Sequence, residues 1–448
     1  MRQLRWFLAA GLALAALQQQ VLLQRPPQLR RLESSTVTSG PAALSAEFSR
    51  PMERASVAKT SQLEPALTHQ WLGSGNLLRL LLDPGQTITA PLKVVLRGAD
   101  QRGVALAQQQ FWWDPRPWLV VVSPGPQGDQ LELLGRDGHW RLLSEANGPI
   151  TSVEPLGNGA GIAFSTSGGR TEETWLLELD QQATFASKPQ SLVVKGIKRL
   201  LESPLTFSHF SSNRKGDLLI QWGAPGFARS FTTLIQANGQ RRRLNLDASG
   251  TAQLLPGGGA LIAPEADGLV LSSLPGHPPR RQFLPGSRDL SSVCPTGGRA
   301  LLTRRWPDYR QSVELLEPGQ PPKQLWIGLD AVMGTACERS GERIWLLLTH
   351  WDQATNSQTP RVVVMNRSGV VLTQRELKGW ELETRSGFAL DPTRDVLLLA
   401  LRNPKDSLGR AAELQASTLA LKVLDKPCLL YTSPSPRDLS TSRMTSSA

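Results

Sequence analysis

Histidine and cysteine are scarce in this chain of 448 residues, with five and three copies. The histidines, at 69, 139, 209, 277 and 350, share no metal-ligand spacing, so no metal site is expected. No cysteine stands near the N-terminus, which excludes a lipid-anchored leader. There is no G-x-S-x-G elbow, no H-E-x-x-H, no phosphate-binding loop and no glycine-rich dinucleotide fingerprint between strand and helix. No spaced acid pair of the kind glycoside hydrolysis needs can be placed either. No catalytic residue and no cofactor are therefore assigned.

What the chain does have is turn chemistry, with 39 Gly and 33 Pro. Residues 293–328, VCPTGGRALLTRRWPDYRQSVELLEPGQPPKQLWIG, set the pattern: three short apolar runs bounded by Gly and Pro, which read as strands of an antiparallel meander. Looser copies flank this stretch. The first strong run opens at Gly161, Asp217, Ala260, Ala300, Ile344 and Val396, at intervals of 40 to 56 residues, and a turn glycine recurs at 138, 239, 276, 319 and 369. A module of that size cannot bury both faces of its small sheet alone, so successive modules must stack about an axis. The predicted fold is all-β, a β-propeller of about seven blades (six to eight) over residues 68–427. The runs between His69 and Gln109 are read as a first blade or as the strand that closes the ring.

The two ends read differently. Residues 1–24 begin with two Arg, then an apolar core of about twelve residues, too short to span a bilayer and suited to an export signal or retained anchor. Residues 25–67 carry Ser, Thr, Pro and isolated charges without an apolar period and are expected to form a disordered linker. Residues 428–438, CLLYTSPSPRD, resemble a translated sequencing adaptor, so 428–448 is taken as a non-native tail. The last blade is then expected to be incomplete, with any downstream catalytic domain missing.

Two stretches, GAGIAFSTSGGRTEETWLLELD (159–180) and ERSGERIWLLLTHWDQ (338–353), resemble exported propellers of the TolB or WD40-like kind. The resemblance covers about three quarters of the chain and implies a periplasmic address. The family's Pro-Asp-Gly is mostly lost, surviving loosely at Asp391-Pro392 and Pro295-Thr296-Gly297.

Cys294 and Cys337 precede the first strong strand of adjacent repeats. Two buried thiols are the favoured reading, with a disulfide between neighbouring inner strands the alternative. The net charge of +11 is dispersed, and the arginines at 241–243 and 280–281 fall on predicted outermost strands, where charge protects exposed edges. Without interleaved aromatics they do not signal nucleic acid. Three long loops rich in Trp and Arg, WGAPGFARS, RRWPDYRQS and THWDQATNSQTPR, should emerge on one face. Trp222, Arg229, Arg304, Trp306, Tyr309, Arg310, Trp351 and Asp352 are thus candidate binding residues around the central opening, because such side chains anchor partners. Packing of the tryptophans between blades is the bland alternative. The sequence therefore points to an exported scaffold binding a protein or envelope polymer, with membrane contact only through the N-terminal anchor. The alternative is a propeller enzyme acting on glycans, or the propeller half of a hydrolase.

Overall fold

The computed structural model describes residues 18, 20, 24–35, 40–180, 192–227, 229–295, 298–352, 357–383, 387–428 and 430–432. Among the described residues from Leu119 onward, seven antiparallel sheets, called blades 1 to 7 in chain order, form a ring. Blade 1 spans residues 119–145 and is completed by Leu430–Thr432; blades 2 to 7 span residues 150–205, 207–244, 253–285, 288–328, 331–376 and 381–428. Blade 5 shows the plan: Arg288–Val293 is innermost, followed outward by Ala300–Arg305, Gln311–Leu316 and Lys323–Gly328. The glycines at 138, 239, 276, 319 and 369 all stand at positive φ, closing the turn before the fourth strand in five blades.

The ring follows from the alternation of side chains along the second strand of each blade. In blade 1, Val120 and Val122 pack toward blade 2, where they meet Ile162 and Phe164. Leu119 and Val121 point the other way and meet Val396, Leu398 and Ala400 of blade 7. Leu397, Leu399 and Leu401 of that blade face blade 6. Further cores lie between blades 2 and 3, 3 and 4, 4 and 5, and 5 and 6, so every blade has a hydrophobic layer on both faces. Two-sided burial is why these strands read as unbroken apolar runs. Neighbouring innermost strands are also tied: Ser211 Oγ accepts the Leu254 N–H at 2.9 Å, and Ser292 and Thr335 share a hydroxyl hydrogen bond of 2.6 Å.

Four sequence-based expectations need correction. Residues 25–67 are not a tether, and residues 69–109 are not a blade. Together they build an N-terminal module of two sheets, ordered Leu29–Ser35, Ala43–Phe48, Leu77–Leu82, His69–Ser74 and Gln62–Glu64, Leu92–Leu96, Gln109–Trp113, with helix α1 at Arg54–Thr60. The module has its own core, including Leu44, Phe48, Leu78, Leu80, Leu96 and Trp113. Its first strands hide in the sequence because only alternate residues, such as Leu44, Ala46 and Phe48, are fully buried.

Blade 7 is complete, with Leu421–Cys428 as its outermost strand, and Cys428 is buried against blade 1. The next residues pair with Leu119–Pro124, Leu430 opposite Val122 and Thr432 opposite Val120, supplying the innermost strand of blade 1. That pairing uses backbone groups, which any sequence provides, so it fixes the position of these residues and not their origin. Finally, Cys294 and Cys337 are joined in a disulfide with Cα atoms 5.4 Å apart, which corrects the favoured reading of two thiols and ties blade 5 to blade 6. The export segment lies almost wholly outside the described residues. Among the described residues, no helix is long and apolar enough to cross a membrane.

Candidate partner-binding face

Strands alternate in direction, so the turns between first and second strands all lie at one end of the propeller, and those between second and third strands at the other. The first end is covered. Such turns from blades 3, 5, 6 and 7, carrying Arg214, Pro295, Arg339 and Thr393, meet the N-terminal module at Ser34, Ser35 and Ala42. Ile88 donates its N–H to Thr393 O at 2.8 Å, and Arg116 reaches Thr89 O at 2.6 Å. Behind this joint, Asp114 holds Arg116 and Arg136 in ion pairs of 2.8 and 2.9 Å, and Arg136 stacks 3.8 Å over Trp118. Burial pushes the Arg136 guanidinium down to about 10, opposed by Asp114, so it stays charged at neutral pH.

The other end carries the three tryptophan-rich loops. They join second to third strands, which places them outside the innermost strands, on the rim of the face. In blade 5 the segment 306–310 folds into a turn: Trp306 N–H bonds to Arg310 O at 3.0 Å and Tyr309 N–H to Trp306 O at 3.1 Å. Tyr309 is held at φ +65° at the tip, 90% exposed. The Trp306 indole donates to Ser312 Oγ at 2.9 Å and lies 3.8 Å beneath the Arg304 guanidinium. Arg310 is engaged by Asp308 at 2.7 Å; desolvation pushes that carboxyl up, but the Arg310 donors outweigh it and hold it below the ordinary value. In blade 6, Trp351 is 54% exposed, and the backbone of Asp352 pairs with Ser357. The Asp352 side chain lies outside the described residues.

Blade 3 gathers most. The Trp222 indole donates to Thr233 Oγ1 at 3.2 Å and lies 4.8 Å from the Phe231 ring, while Arg229 and Arg243 sit 5.9 and 4.3 Å over that same ring. Phe227 meets Phe231 edge-on at 5.5 Å and is 63% exposed. On the innermost strand Phe207 stacks near His209 at 5.6 Å; a Cβ on the opposite Gly223 would come within 2.4 Å of the Phe207 ring, so that glycine makes room for it. Phe207, His209, Phe227, Arg229, Phe231 and Arg243 wall an open groove of about 990 Å³, continued toward blade 4 by a second recess of about 520 Å³ at Glu265, Asp267 and Phe283. The groove floor is pinned by buried Gln221, whose amide donates to Gly250 O (3.1 Å) and accepts the Ala252 N–H (3.0 Å).

The structure thus brings Trp222 and Arg229 together, and separately Arg304 with Trp306, each group within its own blade. Trp306 is clasped to its own hairpin, Trp222 is too but also packs half-buried against the core between blades 2 and 3, and fully buried Trp345, which donates to Ala416 O at 3.0 Å, packs between blades 6 and 7. Phe207, Phe227, Phe231 and Arg243 were missed. The alternation of Phe207 and His209 in TFSHF was the available signal for one of them. Buried carboxylates on third strands are already engaged, Glu314 by Arg288 at 2.6 Å and Glu132 by Lys426 at 2.5 Å.

No family model matches the chain, and no curated protein matches it. Among solved structures it is similar to TolB from Acinetobacter baumannii, with 13% identity over 83% of this chain and 82% of that one, TM-score 0.39. It is also similar to the β-propeller domain of the Trilobed protease from Pyrococcus furiosus, with 11% identity over 74% and 93% of the two chains, TM-score 0.42. AztD from Citrobacter koseri matches with 12% identity over 72% and 99%, TM-score 0.46. These neighbours include TolB and other propellers, and at such TM-scores the architecture rests on the sheet order given above.

Proposed function

We propose that this protein is an exported β-propeller scaffold that holds a protein partner against its open loop face, in the periplasm or facing it. One observation carries the reading: Phe227, Tyr309 and Trp351 stand exposed at the end of the ring that the N-terminal module leaves open. Bare aromatic and arginine side chains on a rigid frame are what protein interfaces use as anchors. Holding Tyr309 in the left-handed region costs on the order of 1 kcal/mol, and a non-glycine residue kept there with its ring in solvent points to use of the ring. The Cys294–Cys337 disulfide supports an oxidising compartment, in keeping with the leader-like N-terminus.

The test is photo-crosslinking in the source organism, with a photoreactive residue at Phe227, Tyr309 or Trp351 and a control at exposed Leu372 on the outermost strand of blade 6. Discrete protease-sensitive adducts from the first three sites and not from the control are expected. Adducts equal to the control refute the reading, and protease-resistant adducts replace the protein partner with an envelope polymer.

A further inference from the structure

The groove on blade 3 carries its charge unevenly. Arg229 and Arg243 are both exposed, and each rests on the Phe231 ring, at 5.9 and 4.3 Å, without an ion pair to an acid among the described residues. An aromatic face attracts a guanidinium without neutralising it, so both groups keep a charge and N–H donors for a further partner. Among the described residues lining the groove, Asp247 is the only acid, and it stands where the groove runs on into the recess toward blade 4. Asp267 and Glu265 line that recess, the latter engaged by Arg281 at 2.8 Å. The groove is therefore positive at blade 3 and acidic toward blade 4. The shelf beneath the arginines is preformed carbon: Phe227 sits edge-on against Phe231, and Phe207 fills the space that Gly223 leaves open.

Exposed guanidiniums above bare rings suit a carboxylate with an apolar side chain beside it, because each guanidinium can grip a carboxylate through paired hydrogen bonds while the rings cover the neighbour. At about 990 Å³ and open to solvent, the groove has room for several residues of extended chain rather than a single small ion. We propose that it takes an acidic extended segment of the protein partner, with an Asp or Glu against Arg229 and Arg243 and an apolar side chain against Phe207 and Phe227. This inference rests on the reading of the open face as a partner-binding surface and names the chemistry the partner must bring.

The experiment is selection of displayed random dodecapeptides on the full chain, followed by fluorescence anisotropy with the most enriched peptide made synthetically. Enriched peptides should place Asp or Glu within two positions of an aromatic or aliphatic residue. Arg229→Gln combined with Arg243→Gln should weaken binding about tenfold or more, with native circular dichroism and unchanged Tm because both side chains are exposed. The control is Arg242→Gln, which removes the same charge from the opposite face of the strand and should leave binding unchanged. Neutral or basic peptides, no enrichment, or binding undiminished in the double variant each overturn the proposal. Polygalacturonate binding through the same arginines more tightly than any selected peptide also overturns it, in favour of an anionic glycan. Crosslinked adducts at Phe227 that persist in the double variant overturn this proposal and leave the scaffold reading standing, whereas adducts equal to the control at Phe227, Tyr309 and Trp351 refute both.

Discussion

Tyr309 and Glu154 show how single residues depart from what their neighbours need. Tyr309→Gly should relieve the backbone and leave the fold unchanged or stabilised by up to about 1 kcal/mol, while weakening partner capture; a clear fall in Tm would mean that the ring packs. Phe227→Ala should likewise leave Tm within about 1 °C, as expected for an exposed side chain. Glu154 lies on the innermost strand of blade 2, Ile150–Pro155, where burial pushes its carboxyl from 4.5 up to about 7 against the pull of the Ser212 N–H at 2.9 Å. The folded state therefore holds this proton more tightly than the unfolded chain. Its contribution favours folding below about 4.5 and is lost as pH rises through about 7. Glu154→Gln should leave stability unchanged at pH 4 and raise it at pH 8 by up to about 3 kcal/mol; equal melting shifts at both pH values would contradict this.

Among elements, the second strand of each blade was the most legible. Openings expected at Gly161, Asp217, Ala260, Ala300, Ile344 and Val396 fall within one residue of the strands Gly161–Ser167, Leu218–Gly223, Ala260–Glu265, Ala300–Arg305, Arg343–Asp352 and Val396–Arg402. These strands are buried on both faces, so their apolar character is continuous. Innermost strands such as Phe207–Ser212 are rich in Ser, with only two apolar residues in six, because one side of each meets polar partners from neighbouring strands, and they left little trace in the pattern. The Cys294–Cys337 bridge belongs to this scale. Replacing both cysteines by serine should cost about 2–4 kcal/mol, given a separation of 43 residues. Urea melts of the variant and of the reduced protein should then coincide; a variant as stable as the oxidised protein would show the bridge to be mechanically idle.

At the scale of the whole molecule the ring is closed by strand pairing between residues more than 300 positions apart, Leu430–Thr432 with Leu119–Pro124. A chain ending at Cys428 should lose about 1–3 kcal/mol through unmade backbone hydrogen bonds, with faster amide exchange at Val120 and Val122; unchanged exchange there would mean that blade 1 stands without its innermost strand. The sequence by itself determined the repeating sheet module, its turns and the three aromatic loops, because strand alternation, two-sided burial and left-handed glycines are local properties written every forty-odd residues. Only the tertiary structure decided that residues 29–113 form a separate module over one end of the axis, that Leu430–Thr432 complete the first blade, and that Phe207, Phe227 and Arg243 join Arg229 in one groove. Those arrangements depend on which distant surfaces share a core, and a contact between remote strands leaves no period in the chain that makes it.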